Sequence, residues 1–145
     1  MDMTPKEYQA YVKAKAPKSP IVRDCLRAFL VGGLICTLGQ AVQNGWLAAG
    51  LSRDDAGAAT ACTLVLLSAV LTGLNVYNNI GRFGGAGSLI PITGFANAVV
   101  SPAIDFKAEG LITGMAAKMF TVAGPVIVFG SLASVVYGVV LMLLR

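Results

Sequence analysis

The chain has 145 residues, of which 56% are hydrophobic and 12% are charged, with a formal net charge of +4. A typical soluble domain carries about 25% charged residues, so this composition excludes an ordinary soluble enzyme domain. The chain contains no histidine, the commonest general base and metal ligand, and the sequence predicts no catalytic site, metal site or cofactor. Its length allows a single domain.

Four long stretches without a charged residue predict helices within a lipid bilayer. They cover residues 28–52, 56–81, 83–104 and 119–144. A bilayer core of roughly 30 Å needs about 20 apolar helical residues, and three of the stretches meet that need without interruption. The sequence therefore predicts an all-α, polytopic membrane protein with three to four transmembrane helices, in which residues 19–145 form one transmembrane domain.

The N-terminal arm, residues 1–18, is predicted to form a cytoplasmic amphipathic helix. Thr4 and Glu7 have capping-box spacing, Pro5 suits the first helical position, and Pro17 ends the helix. One face holds the apolar and aromatic side chains Tyr8, Tyr11 and Val12. That face fits either lipid headgroups or a cytoplasmic partner.

Basic residues are concentrated before the first span. Six of the eleven precede it: Lys6, Lys13, Lys15, Lys18, Arg23 and Arg27. A basic flank of this kind predicts a cytoplasmic N-terminus and does not point to nucleic acid.

The first two spans are predicted to form an antiparallel hairpin. One follows the start signal Ser19-Pro20 and covers about 21–50, and the next begins at a second capping box, Ser52 with Asp55, and covers about 52–80. Polar groups inside spans are costly and usually face protein or a water path. Gln40 and Asn75 are candidates for such a path.

The glycine-rich residues 81–87 predict an irregular loop, because glycine weakens helix interiors. The apolar residues 88–104 that follow are divided by prolines, a glycine and an asparagine. Irregular backbone at membrane depth persists only against protein or a watery cavity. The segment is thus predicted to be re-entrant, with a short helix over about 91–100; a complete fourth span is the alternative.

Ser101-Pro102 predicts the start of another helix, and the final span is predicted over about 121–144. Lys118 lies between them in an apolar stretch, where a charge costs at least about 2.5–3.5 kcal/mol unless it is paired or hydrated. Pairing with Asp105 or Glu109, snorkelling to the headgroups, or facing a water path would each relieve that cost. The spacing favours the water path.

Broken helices place helix ends and free backbone groups beside a permeating solute. A helix that begins near Thr93 favours an anion at its N-terminus, and Lys118 adds positive charge. This chemistry indicates passage of a small anionic or zwitterionic solute rather than bond cleavage. The predicted pore or solute-binding residues are Gln40, Asn75, Gly84, Gly85, Gly87, Thr93, Asn97, Glu109 and Lys118.

Several phrases resemble the stage V sporulation protein AC family. They keep their order over nearly the whole chain and include LRAFLVGGLIC (residues 26–36), GGAG (84–87), PITGFAN (91–97), SPAI (101–104) and AKMF (117–120). The related AE-type family is similar over 32–36, 39–40 and 93–95. It lacks the basic N-terminal arm, which favours the AC family.

The resemblance implies a membrane complex that moves dipicolinic acid, with calcium, across the inner membrane of the bacterial spore. Uptake accompanies sporulation and release accompanies germination, and the family is regarded as channel-like and sensitive to membrane tension. The implied partners are AE-type and AD-type subunits and the lipid bilayer, and a chain with at most four spans implies an oligomer. The alternative is a structural membrane anchor that recruits partner subunits without forming a pore.

Overall fold

The computed structural model describes residues 4–16 and 20–144, and the regular elements in these ranges are helices. A short 3₁₀ turn (Lys107–Glu109) and a π-helical segment (Leu111–Ala116) lie between the last two α-helices. In chain order the α-helices are α1 (Pro5–Lys15), α2 (Ile21–Ala48), α3 (Arg53–Gly73), α4 (Val76–Gly84), α5 (Ala86–Leu89), α6 (Ile92–Asp105) and α7 (Ala117–Leu144). The predicted all-α fold is confirmed.

Three helical stretches in the described ranges are long and apolar enough to cross a membrane. They are Ile21–Ala48, Arg53–Gly73 and Leu111–Leu144, the last of which joins the π-helical segment to α7. These stretches confirm a polytopic membrane protein.

Helix α1 begins at the predicted capping box. The Glu7 carboxylate accepts hydrogen bonds from the backbone N–H of Thr4 at 2.9 Å and from its hydroxyl at 2.8 Å, and the Thr4 hydroxyl accepts from the Glu7 N–H at 3.4 Å. The two bonds from Thr4 lower the pKa of Glu7 below its usual value. The helix ends at Lys15, as predicted, while the start signal at Ser19 lies outside the described residues.

Helices α2 and α3 form the predicted hairpin. At its turn the Ser52 hydroxyl accepts from the Asp55 N–H at 3.2 Å and donates to the Asp55 carboxylate at 2.7 Å. The indole N–H of Trp46 donates to the Thr63 hydroxyl at 3.2 Å and ties the two helices together near that turn.

The second span ends earlier than predicted. Helix α3 stops at Gly73, and Asn75 adopts a left-handed conformation with φ of 58° before α4 starts in a new direction. Asparagine tolerates this conformation better than most residues. Residues 52–80 therefore form a helix, a corner and part of a second helix.

The prediction of an irregular loop over 81–87 is wrong. Gly81 and Gly84 lie inside α4, and Gly87 lies in α5. Only Gly85 leaves helical geometry, with φ of 51°, where the two helices meet. Backbone groups at membrane depth need internal hydrogen bonds, and this requirement outweighs the weak helix propensity of glycine.

Helix α6 is short for a membrane span. Its 14 residues cover about 21 Å, against a bilayer core of roughly 30 Å. This length agrees with the predicted re-entrant segment rather than with a complete fourth span. The predicted helix start at Pro102 is wrong, because Pro102 lies inside α6, which continues to Asp105.

Helix α6 packs mainly against α3, and the two helices run in the same direction where they touch. Ser68 contacts Thr93, and Thr72 contacts Asn97 four residues further along both helices. For α6 to run parallel to α3, the chain must first turn back along α3 after α3 ends. Helices α4 and α5 form this returning segment.

Helix α7 follows the π-helical segment and contacts α6 near its own beginning. It starts before the predicted 121–144, and Pro125 lies within it. From Pro125 to Leu144 its side chains are exposed in this chain. The outer part of the last span therefore faces lipid or other subunits.

Candidate functional site

A buried polar network joins α3, α4, α5 and α6 inside the transmembrane domain. Ser68 and Ser88 are almost fully buried, and Thr72, Tyr77 and Thr93 are each at most 6% exposed. Asn97 is half-buried at the edge. The network lies where α3 ends and where α4 and α6 begin.

The side of the network that links α3 to α6 depends on two hydroxyl groups. The Ser68 hydroxyl donates to the Thr93 carbonyl at 2.5 Å. The Thr72 hydroxyl lies 2.7 Å from the Ser68 carbonyl and 2.8 Å from the Asn97 side-chain amide. The Asn97 atom at this distance is Oδ1, so both neighbours are acceptors and the Thr72 hydroxyl donates its one hydrogen to either of them.

The other side of the network is organised by Tyr77 on α4. Its phenolic oxygen lies 2.8 Å from both the Ser88 carbonyl and the Thr93 hydroxyl. Tyr77 can donate to the carbonyl while it accepts from Thr93. The Ser88 hydroxyl donates to the Gly85 carbonyl at 2.9 Å, so the corner between α4 and α5 belongs to the same network.

The network is closed on itself in this conformation. In the described part of the chain, every buried side-chain nitrogen and oxygen has a hydrogen-bond partner. The groups are neutral hydroxyls, amides and carbonyls, which suit helix packing or solute contact. They supply no general base for bond cleavage.

The predicted residues fall into four groups. Thr93 and Asn97 meet in the network. Gln40 is exposed and donates to Asn44 at 3.0 Å on the same helix, whereas Asn75 forms the exposed corner after α3. Glu109 is exposed in the 3₁₀ turn, away from the network. The structure does not bring these three residues to one place.

Two of the three predicted glycines, Gly84 and Gly87, lie at a helix contact, whereas a Cβ on Gly85 would meet nothing within 4 Å. A side chain on Gly87 would collide with the backbone carbonyl of Ala28 on α2, and a Cβ on Gly84 would lie 2.7 Å from Val31 Cγ1. Gly32 faces Gly87 from the other side. These residues allow α4 and α5 to approach the α2 backbone closely.

Lys118 adopts an arrangement that the sequence analysis did not include. Its ammonium lies 4.0 Å from the centre of the Phe106 ring, and the residue is half-buried. A cation over an aromatic face is stabilised by about 0.5–2 kcal/mol. The ring thus accounts for part of the cost of placing this charge near lipid.

Sequence reasoning missed four members of the network: Ser68, Thr72, Tyr77 and Ser88. A signal was present, since Ser68 and Thr72 are four residues apart, as are Thr93 and Asn97, and each pair lies on one helix face. Two polar pairs of equal spacing in neighbouring apolar helices indicate a polar contact between them. No comparable pattern marks Tyr77, whose position depends on the corner at Asn75.

The comparisons with known proteins agree with this architecture. The family model described as SpoVAC/SpoVAEB sporulation membrane protein matches residues 24–140. The chain belongs to this family. Among SpoVAC/SpoVAEB relatives, Stage V sporulation protein AC of Bacillus subtilis (strain 168) is 48% identical over 136 residues, which cover 93% of this chain and 91% of that protein. No solved structure matches the chain.

Proposed function

We propose that this chain is a membrane subunit of the channel that carries dipicolinic acid, with calcium, across the spore inner membrane. Its membership in a family of sporulation membrane proteins supports the biological setting. Its 48% identity to a stage V sporulation protein AC supports assignment to the AC branch. The same channel serves uptake during sporulation and release during germination.

The observation that carries a transport role is the polar network at the start of the short helix α6. Pro91 precedes α6 and offers no side-chain cap, so the first N–H groups of this helix favour an anion. Thr93 and Asn97 add hydroxyl and amide groups on the same helix. A dicarboxylate passing along α6 meets complementary groups here.

Opening, in this proposal, separates α6 from α3. The network is fully paired in the present conformation, so its bonds hold the two helices together. Interhelical hydrogen bonds in membranes contribute on average about 0.6 kcal/mol each. A small set of such bonds is weak enough for membrane tension to bias the equilibrium.

Neighbouring subunits complete the pathway. Helices α2 and α7, both described in full, bury none of their residues within this chain and thus leave large apolar faces for other subunits or lipid. The proposed partners are the AE-type and AD-type subunits and further copies of this chain. The proposed orientation places α1 in the cytoplasm, since basic residues cluster at that end.

Reconstitution into liposomes tests the transport role. Vesicles loaded with calcium dipicolinate are prepared with this chain, with its AE-type partner, or with both, and are then exposed to an osmotic downshift. A conducting subunit releases dipicolinate when it is present and fails to do so when it is omitted. Identical release with and without this chain would contradict the proposal.

Thr93→Val tests the role of the network within that assay. Valine keeps the shape but removes the hydroxyl that bonds to Tyr77 on α4, so only the bonds to α3 still hold α6 in the network and release should begin at a smaller downshift. Thr121→Val is the matched control, because Thr121 is exposed and bonds only to the Lys118 carbonyl of its own helix at 2.6 Å. Equal thresholds for both variants would exclude the network from gating.

A structural anchor is the second candidate, and helix α1 favours it. Tyr8, Tyr11 and Val12 are exposed on α1 and contact no other helix strongly enough to be buried. An anchor would retain its partners on the membrane through this face but release no dipicolinate. Loss of partner recruitment in a chain lacking 1–18, with vesicle release unchanged, would support the anchor role.

A further inference from the structure

A groove of about 550 Å³ opens on the surface between α2, α3 and α4. Its walls are aliphatic and include Leu34 and Leu38 on α2 and Leu64 and Leu67 on α3. Ser68, Tyr77 and Thr93 also line the groove, and their hydroxyls are already bonded within the polar network. The groove therefore offers an apolar surface, and it lies along helices that cross the membrane.

One end of the groove is cationic. Arg27 stands one helical turn before Val31, a wall residue, and its guanidinium carbon lies 4.8 Å from the ring centre of Phe83, another wall residue. The exposed Arg23 lies one helical turn before Arg27, the exposed Arg82 precedes Phe83 in the sequence, and Asp24 is the acid on that turn of α2. Three arginines against one aspartate leave this end positive.

We infer that the groove binds one anionic diacyl phospholipid, with an acyl chain along the leucine walls and the phosphate on Arg27. An aliphatic groove offers water no hydrogen-bond partners, and an empty groove lacks the van der Waals contacts that a ligand would make with its walls. An acyl chain is as apolar as leucine, so the walls do not discriminate between lipids. The headgroup therefore determines which lipid binds most tightly. Arginine matches phosphate with paired hydrogen bonds, and basic pockets between transmembrane helices recognise anionic headgroups.

Charge complementarity favours this lipid over a second copy of the chain. Helix α7, which is exposed from Pro125 onward, has no acidic residue, so its docking in the groove would place an apolar helix beside Arg27. A phospholipid brings both the acyl chain and the anion. The inference does not depend on whether the chain conducts dipicolinate.

Native mass spectrometry of the purified full chain in detergent tests the inference. The protein is titrated with dioleoyl phosphatidylglycerol or with dioleoyl phosphatidylcholine, and retained lipids are counted. We expect one phosphatidylglycerol per chain, bound at least tenfold more tightly than phosphatidylcholine. Equal retention of the two lipids would overturn the assignment of the headgroup site.

Two matched pairs of variants locate the lipid. Arg27→Gln should reduce phosphatidylglycerol affinity to the phosphatidylcholine level, whereas Arg53→Gln removes the same charge at the α2–α3 turn and should have no effect. Leu67→Trp fills the groove and should displace both lipids, whereas Leu66→Trp places the same bulk outside the groove. Unchanged phosphatidylglycerol binding in Arg27→Gln would overturn the proposal even if Leu67→Trp does not fold.

Cross-linking distinguishes a second copy of the chain. A cysteine replacing Leu67, in a chain whose native cysteines are changed to serine, should remain monomeric on oxidation in vesicles that contain phosphatidylglycerol. An efficient disulfide-linked dimer under those conditions would show that another copy covers the groove and would exclude the lipid.

Discussion

Thr93 bonds to two different helices through two different groups. Its backbone carbonyl accepts from Ser68 on α3, and its side chain contacts Tyr77 on α4. A substitution at this position therefore loosens α4 while the link to α3 remains. Thr93→Val is therefore a mild test of the network, because the bond from Ser68 to the Thr93 backbone carbonyl persists in the variant.

Lys118 gives a residue-scale prediction. Lys118→Met removes the cation over Phe106 and should lower the stability of the detergent-solubilised protein by about 0.5–2 kcal/mol. Lys118→Arg should retain most of that stability, because a guanidinium also stacks on aromatic faces. The measurement is the thermal midpoint of helix loss by circular dichroism.

Phe106→Leu is the companion variant, since it removes the ring and keeps the charge. If Lys118 acts through the ring, the two variants should lose similar stability and should not add when combined. A Lys118→Met protein with unchanged stability but poor dipicolinate release would instead assign the lysine to the solute path.

At the scale of elements, the glycine-rich segment that was predicted to be a loop forms helices that pack closely against α2. The sequence predicted that 81–87 would be irregular because glycine disfavours helices in water. In the membrane domain, Gly84 and Gly87 face α2 at distances that no side chain permits. Local propensity identified the unusual segment. Its helical form depends on packing against α2, which no local sequence pattern predicts.

Gly87→Ala should destabilise the α2–α5 contact, because the new methyl group meets the Ala28 carbonyl. The cost of such overpacking is about 1–3 kcal/mol. Gly81→Ala is the control, since a Cβ there meets nothing within 4 Å and alanine favours the helix. Thermal midpoints should fall for the first variant and hold or rise for the second; equal midpoints would contradict the contact.

Helix α1 carries the pH-dependent prediction. Hydrogen bonds from Thr4 lower the pKa of Glu7, so the charged carboxylate favours the capped helix. That contribution is present above the ordinary carboxyl pKa and is lost as pH falls through the lowered value. Amide exchange in the first turn of α1, measured by NMR in micelles, should accelerate on acidification over this range.

Thr4→Ala provides the control for that measurement, because it removes the hydroxyl bond and half of the cap. The variant should exchange faster than wild type at neutral pH and respond less to acid. An identical response to acid in both proteins would show that Glu7 does not report on the cap.

For the molecule as a whole, hydropathy and charge predicted three to four spans and the hairpin, because the bilayer imposes length and apolarity on each span; three helical stretches in the described residues are long enough to cross. The network was half predicted: Thr93 and Asn97 were identified as polar groups at a broken helix, whereas Ser68 and Tyr77 were not. Their proximity results from the corner at Asn75 and from the parallel pairing of α3 with α6. Such long-range geometry leaves little trace in a single sequence.

Orientation is tested by cysteine labelling in intact cells. In a background without Cys25, Cys36 and Cys62, a cysteine replacing Arg53 should react with an impermeant thiol reagent, because the α2–α3 turn is expected on the outer face. A cysteine replacing Lys6 should react only after the membrane is opened. The reverse pattern would place the N-terminus outside.

The short helix α6 also bears on the order in which the chain enters the bilayer during synthesis. A helix of about 21 Å that carries Asn97 cannot be released into lipid alone, because it neither reaches across the core nor satisfies its polar group there. Helix α3 leaves the ribosome earlier and presents Ser68 and Thr72, which supply the missing partners. We therefore expect α6 to be held beside α3 at the insertion machinery until the two pair, and α7 to enter afterwards as the next segment able to cross unaided.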